Sequence, residues 1–296
     1  MQPGVYPNIT SKDYHAMTDI VSNSYLGKLA KVPACAKLPQ KETAAMIFGR
    51  AFHSYVLEGL TAWNQDFVVA LDVPTKPNKR STQKTIDAYT DWQNSLDGKQ
   101  PISLDDFTTI QQMKNSVMQH PFAKNLLSDG ISETTIIWKD EETELLCKVR
   151  PDRIPAGNKG VIWDLKSTSN ASRNAFLSDC IKFGYAREGA MYLEGFSRAM
   201  EAKYDDLIFA LVAVEKEEPF RVEVYTIEVD LLEYGYGEFH RLLQIEKVCR
   251  DHDFWPNYQN SGAISLFKPA YLPVWEYDSL ENMEKAIMKG KYNGTK

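Results

Sequence analysis

The chain has 296 residues, 43% of them hydrophobic, and a formal net charge of −6. That length supports a substantial core in one large domain or two small ones. No stretch approaches the roughly 18 consecutive apolar residues of a membrane span, and Met1-Gln-Pro-Gly-Val-Tyr6 lacks the basic and apolar regions of a signal peptide, so a soluble, cytoplasmic protein with no membrane partner is expected. Cys35, Cys147, Cys180 and Cys249 are scattered with no C-x-x-C pair, which argues against a zinc ribbon, an iron–sulfur cluster and a disulfide framework. The charge is uneven: residues 1–84 carry ten Lys and Arg against six Asp and Glu, and residues 85–296 carry 24 against 34.

In chain order, Ile9-Thr-Ser-Lys-Asp-Tyr-His15 opens a helix with Thr10 or Ser11 as N-cap, and Ser22-Asn-Ser24 marks a second start. Thr43 to Glu58 sets Ile47, Ala51, Phe52, Tyr55 and Val56 at the spacing of a packed helix. The basic run Lys76-Pro-Asn-Lys-Arg-Ser-Thr-Gln-Lys84 reads equally as a solvated loop or the lining of a positive groove, with Lys79 and Arg80 as candidate nucleic-acid contacts. Helical pieces follow at 85–92, 104–116 and 122–127. The period then changes: Ser132 to Lys139, Glu144 to Arg150 and Val161 to Lys166 form a predicted three-stranded meander. A helix over 174–200, interrupted near Gly184, precedes the apolar strand Leu207 to Val214, an alternating strand over 220–229 and a helix over 231–248. The predicted architecture is α/β, a mainly helical part over 1–130 and an α/β core over 131–260 within one domain of 1–270. Residues 271–296 form a C-terminal tail, polar from Ser279 to Lys296 and expected to be mobile or a partner-binding appendage.

The segment Pro151-Asp-Arg-Ile-Pro-Ala-Gly-Asn-Lys-Gly-Val-Ile-Trp-Asp-Leu-Lys166 carries the chemistry. Successive strand side chains point to opposite faces, so Asp164 and Lys166 share one face while Leu165 turns into the core. A hairpin would return Asp152 to Asp164. Mg²⁺ prefers hard oxygen ligands and is commonly held by one or two carboxylates plus substrate phosphate, so Asp152, Asp164 and the Leu165 carbonyl form a candidate metal site, with Lys166 to orient a water and stabilise phosphate charge. The bland alternative is an Asp-x-Lys ion pair on an exposed strand and a Pro-Asp turn. His53 could complete the site if its helix abuts the hairpin, and Arg50 lies one turn earlier, placed for a phosphate. Glu188 and Tyr192 lie at i, i+4 on one helix face, as a wall of the site or as a surface carboxylate with a half-buried tyrosine.

The order His53, Asp152, Asp164-Leu-Lys166, Glu188-x-x-x-Tyr192 resembles the PD-(D/E)xK nuclease superfamily and its RecB-like branch. More narrowly it resembles the exonuclease domain of phage and prophage RecE (exonuclease VIII), in the Ile9 to His15 opening, Ser22 to Leu26, and Phe48-Gly-Arg-Ala-Phe-His53, over about residues 6–260. That resemblance implies a restriction-endonuclease-like core, a central mixed sheet flanked by helices. It also implies a Mg²⁺-dependent exodeoxyribonuclease, Mn²⁺ substituting, that digests one strand of double-stranded DNA from a 5′ end and leaves a 3′ overhang for a RecT-like annealing protein. By the same carry-over His53, Asp152, Asp164 and Leu165 hold metal, and Lys166 is the catalytic lysine; Glu188 and Tyr192 take the helical motif's catalytic positions, Ser167 and Thr168 contact nucleic acid, and Glu133 matches a less constant acidic position. A homo-oligomer, a ring tetramer in some family members, and a phage or prophage source in a bacterial cell are also implied. Glu188 departs from the usual Gln. A structure-specific or endonucleolytic enzyme of the superfamily and a non-catalytic DNA-end-binding recombination protein are the alternatives.

Overall fold

The computed structural model describes residues 1–39, 41–128, 130–157 and 159–257. The tail expected over 271–296 lies outside the described residues. The chain runs β1 (Gly4–Tyr6), α1 (Ser11–Ala16), α2 (Asn23–Lys31), α3 (Ala44–Leu57), α4 (Leu60–Asp66), β2 (Phe67–Ala70), α5 (Gln83–Ser95), β3 (Gln100–Ser103), α6 (Leu104–Gln119) and α7 (Pro121–Ser128). It continues through β4 (Ile131–Ser132), β5 (Thr135–Lys139), β6 (Leu146–Val149), β7 (Arg153–Ile154), β8 (Gly160–Thr168), α8 (Arg173–Phe183), α9 (Tyr185–Met200), β9 (Leu207–Glu215), β10 (Val222–Thr226) and α10 (Val229–His252). Among the described residues no helix is long and apolar enough to cross a membrane.

Local chemistry sets many of these boundaries. Thr10, Ser22, Thr43, Thr82 and Ser103 each accept a backbone N–H of the first turn that follows, which satisfies a donor the helix itself leaves orphaned. The expected interruption near Gly184 is a full stop: this glycine adopts the left-handed conformation (φ 71°) that ends α8 and reverses the chain into α9.

The predicted three-stranded meander is not what forms. Strands β5 and β6 pair antiparallel with each other and, through β5, with β1 in one small sheet. Strand β8 belongs to a separate five-stranded sheet, ordered β10-β9-β8-β7-β4, in which β8 and β9 are parallel and the other neighbours antiparallel. The reason lies in Pro151 and Pro155. Proline cannot donate to a ladder, and the two prolines confine β7 to two residues, with one registered pair, Arg153 opposite Trp163. Strand β8 is therefore flanked by β9 along its length but by β7 only at its start. The small parallel pair β2/β3 and helix α4 were not expected from the sequence.

Two cores sandwich the central sheet. Ile162, Phe209 and Leu211 pack with α9, α10, α2 and the small sheet, whereas Trp163, Leu165, Ala210 and Val212 pack with α3, α6, α7 and the β2/β3 pair. Each fully buried aromatic or branched side chain contributes about 1.5–3 kcal/mol of hydrophobic stabilisation. Alternation along β8 therefore fixes its register: a one-residue slip would exchange Asp164 for Leu165 in the second core. Outside the sheets, His240 on α10 lies 2.8 Å from Glu194 on α9 and 3.7 Å from Asp140 after β5. The two carboxylates are buried, and this Asp140, Glu194, His240 group, which the sequence did not flag, also has spacing compatible with a cation.

Candidate active site

Because Ile162 faces the first core, period-two alternation turns Asp164 and Lys166 to the same side, beneath α9. Helix α9 supplies Tyr192 and Glu188, one turn apart. Tyr192 donates its hydroxyl to Asp164 Oδ1 at 3.1 Å and to Glu188 Oε1 at 3.4 Å. Lys166 Nζ sits between two carboxylates, 2.6 Å from Asp164 Oδ2 and 2.7 Å from Glu188 Oε2. The ring of Tyr185 lies below the same ammonium, 4.6 Å away.

Asp152 arrives from the open side of β8. Its Oδ2 accepts the Leu165 backbone N–H at 2.5 Å, taking the place of the absent strand. The Leu165 carbonyl shares the side of its amide in extended backbone, so it too faces this opening. His53, in the middle of α3, crosses from the opposite layer and its Nδ1 donates to Asp152 Oδ1 at 3.1 Å. Glu133 borders the same cluster. Its N–H donates to the Asp152 carbonyl at 3.1 Å, and its carboxylate holds Arg150 at 2.6 Å.

The electrostatics follow from crowding these groups out of water. Burial and the Asp152 charge raise the Asp164 pKa, against the opposing pull of Lys166. Burial pushes His53 down, but attraction to Asp152 and its hydrogen bond outweigh that and hold the imidazole at about 9. Desolvation disfavours the Lys166 ammonium, yet Asp164 and Glu188 overcompensate and raise its pKa. Burial and Asp152 likewise raise Glu133, with Arg150 opposing.

The donor set, two carboxylates and an imidazole, has the chemistry to hold a divalent cation, whereas among the described residues the group that brings three such ligand atoms within 4.8 Å of one another is Asp140, Glu194 and His240. Asp164 Oδ2 and Glu188 Oε2 are buried without a hydrogen bond of acceptable geometry, although Lys166 stands at ion-pair distance from both. The ammonium's charge reaches them while their lone pairs stay unmet, which is costly in a low-dielectric setting. Adjacent ligand atoms of an octahedral Mg²⁺ with bonds of about 2.1 Å lie roughly 3 Å apart. The His53 and Asp152 donor atoms already have a separation of 3.1 Å.

The structure brings together His53, Asp152, Asp164, Leu165, Lys166, Glu188 and Tyr192, with Glu133 at the margin. Other sequence candidates stand apart. Arg50 pairs with Glu42 at 2.7 Å and overlies the Phe67 ring. Lys79 and Arg80 are exposed in the segment before α5. Ser167 is half-buried, and the buried Thr168 turns its hydroxyl to Asp179 at 3.1 Å. Arg150, Tyr14 and Tyr185 received no role from the sequence reading. Arg150 clasps Glu133, the Ile9 carbonyl and Thr135; burial raises the Tyr14 hydroxyl pKa. The Ile9 to His15 opening was the one signal that singled out Tyr14.

Residues 23–269 match the family described as a PDDEXK-like domain of unknown function (DUF3799), and the chain belongs to that family. It is therefore a member of the PD-(D/E)xK nuclease superfamily, whose enzymes generally use divalent metal ions. The fold is similar to that of the crystal structure of a "Putative exonuclease" from Eubacterium rectale, with a TM-score of 0.59 at 15% identity, covering 92% of this chain and 98% of that one. Together these establish the restriction-endonuclease-like fold expected from the sequence. A search of curated proteins finds no match.

Proposed function

We propose that this protein is a Mg²⁺-dependent exodeoxyribonuclease that digests one strand of duplex DNA from a 5′ end and leaves a 3′ overhang. The observation that supports it is the convergence of His53, Asp152, Asp164, Lys166, Glu188 and Tyr192, from α3, the β7 approach, β8 and α9, into one cluster. Exonucleolytic polarity, supply of a RecT-like annealing protein, a phage or prophage source, assembly of several copies and a single nuclease domain over 1–270 rest on the sequence resemblance to RecE-type exonucleases.

Asp152, Asp164, His53 and the Leu165 carbonyl would hold the cation, which when bound supplies positive charge to the scissile phosphate and lowers the pKa of a coordinated water. The remaining work falls to side chains. Lys166, kept protonated by Asp164 and Glu188, presents an ammonium where negative charge builds on the phosphorane oxygens. Tyr192 fixes the Asp164 carboxylate by donating to Oδ1, which aims Oδ2 into the site. Glu188 draws Lys166 toward α9 and adds a carboxylate where related enzymes have an amide. The layers above and below β8 exclude bulk water from Asp164, which is 3% exposed.

Digestion of 5′-labelled linear and covalently closed circular duplexes with Mg²⁺ tests this reading. Release of 5′ mononucleotides from the linear substrate with the circle intact is expected. Equal cutting of the circle would replace it with an endonuclease, and binding of ends without cleavage would leave a DNA-end-binding protein.

A further inference from the structure

Four aromatic rings form a continuous file beside Lys166. Tyr225 stacks on Phe176 with centroids 5.2 Å apart and planes 20° apart, Phe176 meets Tyr185 at 6.0 Å, and Tyr185 meets Phe183 at 5.8 Å with planes at 32°. The file starts in the core, where Phe176 is 2% exposed, and ends at Phe183, which is 51% exposed. Core packing explains Tyr225, Phe176 and the ring of Tyr185 and leaves Phe183 unaccounted for. Tyr185 carries the Lys166 ammonium over one face, and among the described residues its hydroxyl has no hydrogen-bond partner. Phe183 carries the Lys182 ammonium 5.0 Å from its ring centre.

A flat exposed ring with a cation over it, one ring removed from the lysine that meets the phosphate, has the properties of a nucleobase platform. Every base has a π-face, so stacking on an aromatic side chain binds single-stranded nucleic acid without regard to sequence, and nearby cations hold the backbone. We infer that Phe183 is a positioning residue that stacks on an unpaired base of the strand being cut, while the Tyr185 hydroxyl donates to a phosphate of the same strand. This inference rests on the nuclease reading above and names its substrate form: a nucleotide unstacked from the duplex beside the scissile phosphate. Continuity with Lys166 and the cations at both rings favour nucleic acid as the occupant. Leu177 and Ile181, exposed on α8, make a second copy of the chain the competing occupant.

The test uses full-length protein as wild type, Phe183→Ala and Phe183→Trp, with duplexes carrying 2-aminopurine at the 5′-terminal position. Binding is followed in Ca²⁺ and cleavage in Mg²⁺. Stacking on aromatic side chains is worth about 1–3 kcal/mol per base, roughly 5- to 150-fold. Phe183→Ala is expected to weaken end binding and raise KM within that range, to lower the saturating rate by a smaller factor, and to abolish the quenching of 2-aminopurine. Phe183→Trp is expected to restore all three. Wild-type affinity and quenching in Phe183→Ala would overturn the platform. So would a shift of Phe183→Ala to a smaller species in sedimentation, which would assign this face to self-association. Failure of the wild type to cut any DNA would instead overturn the nuclease reading, and the Ca²⁺ measurement would still decide whether Phe183 stacks on a base.

Discussion

Among the described residues Lys166 is the one ammonium at ion-pair distance from Asp164 and Glu188, so in the metal-free protein it stands in for a cation. Removing one partner of a buried charge group leaves the others uncompensated, at a cost of about 3–5 kcal/mol. Lys166→Met should therefore lower the melting temperature of metal-free protein markedly, Mn²⁺ should recover much of the loss, and cleavage should drop by at least ~10²-fold. Unchanged melting in EDTA would contradict this role. Proton linkage adds a pH signature. His53 is raised from 6.5 to about 9, so its stabilising contribution is complete below 6.5 and is lost as pH rises through 9. Asp164 is also raised, so its contribution has the same sign and is lost over a lower range. Metal-free protein should thus melt at a lower temperature at pH 9 than at pH 6, and stabilisation by added metal should grow over that interval because both groups must shed protons to ligate. A flat profile in EDTA would count against the raised imidazole. Asp164 with Lys166, and Glu188 with Tyr192, were legible in the sequence because strand and helix periods put each pair on one face, and Asp152 because a hairpin was expected to return it to Asp164. The tie from Leu165 N–H to Asp152 was not, because it depends on a strand that stops early.

At the level of elements, helices were read more accurately than strand partners. The break at Gly184, the caps at Thr10 and Ser22 and the long C-terminal helix are local events with local signals. Pairing of β8 with β9 joins residues 47 positions apart with the α8/α9 crossover between them, and nothing in either strand names its partner. Strand β2, Phe67-Val-Val-Ala70, is too short for its period to distinguish it from a helix end. The wall that carries Glu188 and Tyr192 depends on how closely α9 meets α10. A Cβ on Gly235 would lie 2.3 Å from the backbone of Ala186, which cannot rotate away. Gly235→Ala is expected to push α10 off α9, cost about 1–3 kcal/mol as overpacking does, and lower activity through displacement of Glu188. Chemical denaturation measures the first effect. Wild-type stability would mean that the helices slide apart without cost.

At the scale of the molecule, an acidic chain proposed to act on DNA must place its cations with care. The 85–296 segment, which holds the carboxylate cluster, also carries the acidic excess, whereas Lys76, Lys79, Arg80 and Lys84 lie in the basic segment. Each phosphate neutralised contributes about −0.9 to the slope of log affinity against log salt. Lys79→Ala with Arg80→Ala should flatten that slope by about 2 if both residues touch backbone phosphates, and leave it unchanged if the segment is a solvated loop. Sequence alone left these two outcomes balanced, because exposed lysines carry no record of what faces them.

The open flank of β8 has a second consequence. Unpaired strand edges recruit strands from other molecules, and natural sheets blunt them with charge. Here Asp152 occupies the Leu165 donor while Lys166 and Asp164 stand beside it. The carboxylate read as a metal ligand therefore also closes the stretch of edge that β7 leaves unpaired, and its loss would strand the buried Leu165 N–H without an acceptor.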